Sequence, residues 1–337
     1  MSDAQRTHPV VSVIMPTYNQ AEFIVNAIES VLNQSYQSFE LIIIDNYSED
    51  NTEKVVESYK DKRIRYSKFR NNGIIAASRN HGIRQSRGEY IAFLDSDDAW
   101  HRQKLEMQLA EFKQPDIIGV ACDSILIPET AYYRKNAFGR SKVGYIDYQY
   151  DDILNRNSIA TSSVILRKDT LERVGGFDEN IDFAFIEDWE LWLRVSKLGS
   201  FRVLGIPLLS YTVSRKRGYN SVILAKNCLK VLEKQISMGF ADFCQIVEPK
   251  ASIYLSIARN LIEYDAEKSK KYYKKAFKAT SNPRKKIKSC AGTLIAINPL
   301  FLRKMLLLMF YRLDSLIYNI KDQIWQIKNG GSANLMI

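Results

Sequence analysis

An α/β fold with a mainly parallel sheet flanked by helices, followed by an α-helical C-terminal subdomain, is what this sequence predicts. Three observations carry the prediction. Apolar strand-like runs alternate with helix-patterned segments from Val10 to Ile127. Those runs are apolar throughout instead of alternating, as expected for strands covered on both faces. Beyond Ser221 nearly every segment is compatible with helix and rich in lysine.

The elements follow in order. "VVSVIMPTY" (Val10 to Tyr18) is β-branched and apolar, a buried strand. In "QAEFIVNAIESVLNQ", residues Phe23, Ile24, Ala27, Ile28, Val31 and Leu32 recur at helical spacing. "FELIIID" (Phe39 to Asp45) is a second apolar strand, ending in an acid. "SEDNTEKVVESYK" is a helix, with Ser48 or Asp50 as its cap. "RIRYSKF" is a short strand, "GIIAASRNHGIRQS" a helix and "EYIAFLD" a strand. A helix over Arg102 to Lys113 and the strand "DIIGVACDSILI" follow. Past Tyr145 come a strand and short helix in "SIATSSVILRKDTLERVGGFDEN", the helix "IEDWELWLRVSKLG" stopped by Gly199, and the strand "FRVLGIPLLSYTV". This alternation implies βαβ units.

The chain has 337 residues, 46% of them hydrophobic, enough for two domains. Residues 1–220 hold 28 basic and 30 acidic side chains, whereas 221–337 hold 20 and 8. A near-neutral body thus joins a strongly basic section, and the boundary is placed between 220 and 221. Cys122, Cys228, Cys244 and Cys290 follow no metal-ligand spacing and read as reduced, mostly buried thiols of a cytoplasmic protein. "MSDAQRTHPV" carries no apolar signal segment. No run reaches the roughly 18 apolar residues that span a bilayer.

The stretch "EYIAFLDSDDAW" runs from a buried strand straight into Asp95, Asp97 and Asp98. In open α/β sheets ligands bind beyond the C-terminal strand ends, at the topological switch point. Asp45 and Asp95 both stand at such ends, so one rim can carry both. The carboxylates of Asp95 and Asp97 are hard oxygen donors suited to Mg2+ or Mn2+. They also suit a plain turn, with Asp98 capping the helix that follows.

The segments "VSVIMPTYNQAEFI", "ELIIIDNYSEDNT", "AASRNHGIRQSRGEYIAFLDSDD" and "IEDWELWLR", in this order over residues 9 to 215, resemble a family 2 glycosyltransferase with the GT-A, Rossmann-like fold. The resemblance implies transfer of a sugar from a nucleotide diphosphate to a hydroxyl, with inversion. Asp97 is then the metal ligand, and Asp95 holds the ribose or sugar of the donor. Asp98 either supports the site from behind or caps the helix. Pro16 and Tyr18 border the nucleotide base, Tyr18 by stacking, while Asn19 fixes the turn through its backbone. Asn46 stands where the family commonly has a second acid. Its side-chain oxygen can accept from N3–H of uracil or thymine, which points to a UDP or dTDP donor. Asp45 either shares that role or bonds backbone N–H groups at the strand end.

Arg79 is expected on the diphosphate; on residues alone it also reads as a surface helix arginine. Asp188 is the implied general base and Glu187 orients it or meets the acceptor. Without the resemblance the pair is a favourable acidic helix start. Trp189 is the residue expected to stack on an acceptor sugar, and Trp192 to pack in the core. Trp100 is expected to pack the strand–helix junction. "VGGFDEN" shapes the pocket or is simply a turn. Arg215 and Arg217 are placed over the diphosphate.

In the basic section, "ASIYLSIARNLIEYDAEKSKKYYKKAFKAT" has a helix–turn–helix rhythm, with Ala251, Leu255 and Ala258 facing Tyr272, Tyr273 and Ala276. After Pro299 a broad apolar face with scattered basic residues suits a helix in a membrane interface, or a solvated face of a helical subdomain. The partners expected are a nucleotide-sugar donor, a glycan or lipid-linked saccharide acceptor at the inner face of the membrane, an anionic lipid surface, and no nucleic acid. A nucleotidyltransferase is the competing enzyme class, but its Gly-rich loop is missing from "MPTYNQAE". A nucleic-acid binder leaves the acidic rim unexplained.

Overall fold

The computed structural model describes residues 9–127, 144–213, 221–262 and 265–296. The chain begins β1 (Val11–Thr17), α1 (Ile24–Leu32), β2 (Phe39–Asp45), α2 (Thr52–Ser58), β3 (Ile64–Lys68), α3 (Ile75–Gln85) and β4 (Tyr90–Phe93). It continues with β5 (Ala99–Trp100), α4 (Lys104–Leu109) with a 3-10 turn at Ala110–Lys113, and β6 (Ile117–Ile127). After β7 (Tyr145–Tyr148) and α5 (Tyr150–Asn155) come a 3-10 turn at Thr161–Ser163, β8 (Ile165–Arg167), α6 (Lys168–Val174), α7 (Glu187–Val195) and β9 (Ser200–Thr212). Four helices follow: α8 (Ser221–Ser237), α9 (Phe243–Leu261), α10 (Ala266–Lys278) and α11 (Pro283–Ala296).

The sheet has the order β3-β2-β1-β4-β8-β6-β9-β5, with β7 added on β9. β3, β2, β1 and β4 are mutually parallel. β1 and β2 are buried along their whole length, which is why they lack alternation. The chain moves from β1 to β2 and β3 on one side, then returns to β4 on the other side of β1. That reversal is the switch point, and it opens a crevice beyond the C-terminal ends of β1 and β4. The second half of the sheet is mixed: β8 is antiparallel to β4 and β6, and β6 is parallel to β9. Gly82 lets α3 lie close on this sheet, because a Cβ there would come 2.5 Å from Ile14.

Several local expectations are corrected. α2 begins at Thr52 without a side-chain cap. Asp50 instead accepts from Ala21 N and Thr52 N, and the Ser48 hydroxyl accepts from Asn19 N. The helix after Trp100 is shorter than expected and starts at Lys104, and the "AW" ahead of it forms the small strand β5 against β9. α7 ends at Val195, four residues before Gly199. Cys122 is buried, but Cys244 and Cys290 are exposed.

Contacts divide the chain into two compact units, one of residues 1–220 with 227–246, the other of 221–226 with 247–337. Most of α8 therefore belongs to the first unit, later than the charge shift at 221 suggested. Ion pairs account for it: Lys234 of α8 reaches Asp178 and, at 2.5 Å, Glu190 of α7. In the second unit Leu255, Ala258 and Ile262 of the α9 region cluster with Tyr273 and Ala276 of α10 and with Ile295 and Ala296 of α11. Tyr272 packs against this cluster and Ala251 is buried. No described helix is long and apolar enough to cross a membrane. The interfacial helix expected after Pro299, and Arg215 and Arg217, lie outside the described residues.

Candidate active site

A cavity of about 220 Å³ opens at the switch point. The end of β1 supplies Pro16, Thr17, Tyr18 and Gln20; the end of β2 supplies Asn46; the approach to α3 supplies Asn71, Gly73 and Ile75; and the β4–β5 loop supplies Asp95, Ser96 and Asp97. Five of the residues singled out in the sequence, Pro16, Tyr18, Asn46, Asp95 and Asp97, thus share one cavity. Tyr18 is half exposed, so its ring is accessible. Asn19 holds the turn with a positive φ of 52° and gives its N–H to Ser48 Oγ. Asn46 Oδ1 accepts from Asn71 N at 2.9 Å, which commits one of its two lone pairs to the loop. Asp45 lies outside the cavity. It is fully buried and accepts from Ser48 N, the Ser48 hydroxyl and Tyr66 OH, so it secures the strand end.

The carboxylates of Asp95, Asp97 and Asp98 have oxygens that all lie within 4.8 Å of one another. Asp98 is not a helix cap. It is 2% exposed and accepts from Thr212 N of β9 at 2.8 Å, while its Oδ2 is buried without a partner. Burial, then the charges of Asp95 and Asp97, hold its carboxyl well above the usual carboxylate range. Clustered hard donors with an orphaned oxygen fit a divalent cation of the Mg2+ or Mn2+ type, which would relieve that repulsion.

Arg79 corrects both earlier readings. It is 2% exposed and does not line the cavity. Its guanidinium bridges Asp95 Oδ1 at 2.8 Å and Glu187 Oε1 at 2.6 Å, and lies 5.4 Å from the Phe177 ring centroid. It cannot present itself to a diphosphate without breaking these two ion pairs. Glu187 is corrected with it, being buried and turned toward Arg79. Trp189 is also corrected. The ring is buried and its Nε1 donates to Ile153 O at 2.7 Å, so it cannot stack on an acceptor. The exposed aromatic ahead of α7 is Phe185, 58% exposed and held at φ 71°. A bulky residue in that region is strained, a condition that recurs at binding sites. Trp192 is fully buried, as expected.

Asp188 lies outside the cavity lining, at the start of α7. Its Oδ1 accepts from Trp189 N at 2.6 Å and Asn157 Nδ2 at 3.1 Å, and its Oδ2 from Thr161 Oγ1 at 3.1 Å. Burial, then the neighbouring Glu187 charge, pushes its pKa up to about 7, against the pull of Arg79 and of the Trp189 and Thr161 hydrogen bonds.

The turn at Thr161–Ser163 was hardly legible in the sequence. Thr161 bonds Asp188, while Ser162 Oγ accepts from Asp95 N and Ser162 O from Trp100 Nε1. One short turn therefore links the acidic loop to Asp188. The run of three hydroxyl residues in "ATSS" was its only signal. The "VGGFDEN" turn is bolted in place: Asn80 Nδ2 donates to Phe177 O, Phe177 N donates to Asn80 Oδ1, and Gly176 sits at φ 75° with no room for a Cβ beside Asn80 Oδ1.

A switch-point crevice in a doubly wound sheet, rimmed by clustered acids, defines a GT-A domain. The chain belongs to glycosyl transferase family 2. The family model described as Glycosyl transferase family 2 matches residues 12–175. The chain is 30% identical over 245 residues to UDP-Glc:alpha-D-GlcNAc-diphosphoundecaprenol beta-1,3-glucosyltransferase WfgD of Escherichia coli, covering 73% of this chain and 90% of that protein. An uncharacterized glycosyltransferase of Rickettsia bellii is 36% identical over 218 residues, 64% of this chain; the chain spans only 30% of that protein's length. S. aureus TarS 1-349 in complex with UDP-GlcNAc superposes with a TM-score of 0.57 at 17% identity, covering 85% of this chain and 90% of that one. Mannosyltransferase PcManGT from Pyrobaculum calidifontis, in complex with GDP-Man and Mn2+, does so at 0.57 and 21% identity, covering 89% and 85%. At these identities the two structures share the fold.

Proposed function

We propose that the chain is a metal-dependent inverting glycosyltransferase that moves a sugar from a UDP- or dTDP-linked donor to a hydroxyl of a glycan or lipid-linked saccharide, in surface polysaccharide assembly. The observation that carries this is the pair Asp95 and Asp97 in the cavity also lined by Tyr18 and Asn46, with the buried Asp98 carboxylate beside them. A diphosphate placed there needs a cation between itself and the acids. Asp97 would hold it, with Asp95 beside it turned to the donor's ribose or sugar, and a bound Mn2+ or Mg2+ would supply Lewis-acid stabilisation of the departing diphosphate. Support for the donor and acceptor classes comes from WfgD, whose name gives UDP-Glc and a diphosphoundecaprenol-linked sugar. The TarS complex holds UDP-GlcNAc and the PcManGT complex GDP-Man with Mn2+.

In this reading Tyr18 stacks on the base and Asn46 reads its edge. Arg79 is a positioning residue that keeps Asp95 in place for the donor sugar. Asp188 takes the acceptor hydroxyl proton on a carboxylate oxygen. The freed oxygen bonds to the anomeric carbon opposite the departing diphosphate, so the configuration inverts. Phe185, exposed beside the base, replaces Trp189 as the surface on which an acceptor sugar stacks.

Thermal shift with UDP, dTDP and GDP, each with and without Mn2+, tests the reading. At saturating ligand, about 100-fold above Kd, UDP or dTDP with Mn2+ is expected to add roughly 3 kcal/mol, a rise of several degrees. Asp97→Asn should abolish the Mn2+-dependent part. A shift that ignores both metal and substitution counts against the site.

The rate should also follow the ionisation of Asp188. The base works only when deprotonated, so activity is expected to rise with pH through about 7, where half the groups are ionised, and to level off about one pH unit above it. A flat profile across the acid range would remove Asp188 from the role.

A further inference from the structure

The cavity has an end that the acidic loop does not account for. In the sheet order β3-β2-β1-β4, the C-terminal ends of β2 and β3 lie across β1 from the loop that carries Asp95 and Asp97. There Asn71 N donates to Asn46 Oδ1 at 2.9 Å, which joins the loops after β2 and β3. Two exposed side chains flank this bond in the chain, Tyr47 just after Asn46 and Arg70 just before Asn71. They meet each other: the Arg70 guanidinium lies over the Tyr47 ring, 4.9 Å from its centroid. Tyr47 is 46% exposed and held at φ 58°, a left-handed conformation that is strained for a bulky aromatic residue. Arg63, Arg65 and Lys68, just ahead in the chain, are each paired with an acid. Arg70 has no acid partner among the described residues. An arginine that no described carboxylate claims, held on a strained aromatic beside the cavity, points to a ligand.

We propose that Arg70, set in place by Tyr47, is a specificity-determining residue that reads the edge of the donor's base. The inference rests on the nucleotide placement proposed above and adds the discrimination that Asn46 lacks. An amide offers both an acceptor and donors, so Asn46 can serve the N3–H of uracil or the bare N3 of cytosine. A guanidinium only donates. Beside Asn46 it demands an acceptor next to the ring nitrogen. Uracil and thymine supply one in O4, and guanine in O6. Cytosine and adenine put an amine there, which meets the guanidinium donor to donor. A site built around such a bond rejects the analogue that lacks it far more strongly than an apolar pocket does. Tyr47 holds the guanidinium by cation–π attraction, so less side-chain freedom is lost when the base arrives.

Dissociation constants of UDP and CDP are measured on the full chain by titration calorimetry with Mn2+ present. The two nucleotides have the same size and differ only at N3 and C4, so their ratio isolates the edge. UDP is expected to bind about 10- to 100-fold more tightly than CDP. Arg70→Met should bring the ratio close to one, and Arg70→Lys should keep part of the preference. Arg70→Glu should reverse it, because a carboxylate accepts from the cytosine amine and repels O4. Its added negative charge weakens both nucleotides and cancels in the ratio. Tyr47→Gly relieves the left-handed backbone, so the melting temperature should not fall, yet the UDP preference should shrink. An unchanged ratio in Arg70→Met and Arg70→Glu, or no preference in the parent, overturns the inference, while Mn2+-dependent binding of UDP leaves the proposed reaction standing. Absence of Mn2+-dependent binding by any nucleotide overturns both.

Discussion

Asp188→Asn is expected to lower the transfer rate by about 10²- to 10⁴-fold, the usual contribution of a positioned base. The asparagine keeps the size of the side chain and can still bond Thr161 and Asn157, so the fold should hold. Asp188 does not line the cavity where the nucleotide is placed. Donor affinity, read by the Mn2+-dependent thermal shift, should therefore stay within a factor of a few. The rise of activity toward pH 7 should vanish along with the rate. Full transfer activity in the variant would exclude the assignment. A parallel loss of donor binding would mean that Asp188 holds the donor.

Arg79→Met should be the most damaging single change to stability. It would leave Asp95 and Glu187 without their shared cation, and the Glu187 side chain is only 8% exposed. Removing one partner of such a buried pair costs about 3–5 kcal/mol. For a unit of this size that is a fall in melting temperature on the order of 10 °C. Arg79→Lys keeps the charge but cannot reach both acids with a planar fork, so an intermediate loss is expected. Arg79→Met combined with Glu187→Leu should recover part of the loss, because the remaining Asp95 has access to water. Melting curves of the three variants decide it. An unchanged midpoint for Arg79→Met would show that the bridge contributes little.

These two variants also separate what was legible in the sequence from what was not. Asp95, Asp97, Asn46, Pro16 and Tyr18 could be assigned to one rim because each follows a strand, and strand ends in a parallel sheet point the same way. Arg79 was misread because its partners lie 16 and 108 positions away. Trp189 was misread for the same reason. A tryptophan beside an acidic pair is equally compatible with a ligand surface and with core. Only the Ile153 carbonyl of α5, 36 positions back, decides for core. The two-residue strand β5 gave no periodic signal at all, and its pairing with β9 is what turned Asp98 from a helix cap into a tie to Thr212.

The order of residues by itself determined the βαβ layout, the strand termini that carry acids, and the charge break between a near-neutral part and a basic part. Those are properties of neighbours along the chain, set by side-chain period and backbone geometry. Which carboxylate faces the cavity, which is clamped by Arg79, and which rests on the Thr161–Ser163 turn was decided by the tertiary structure. A carboxylate's role depends on its desolvation and on the charges beside it, and both are set by segments brought together only when the sheet closes.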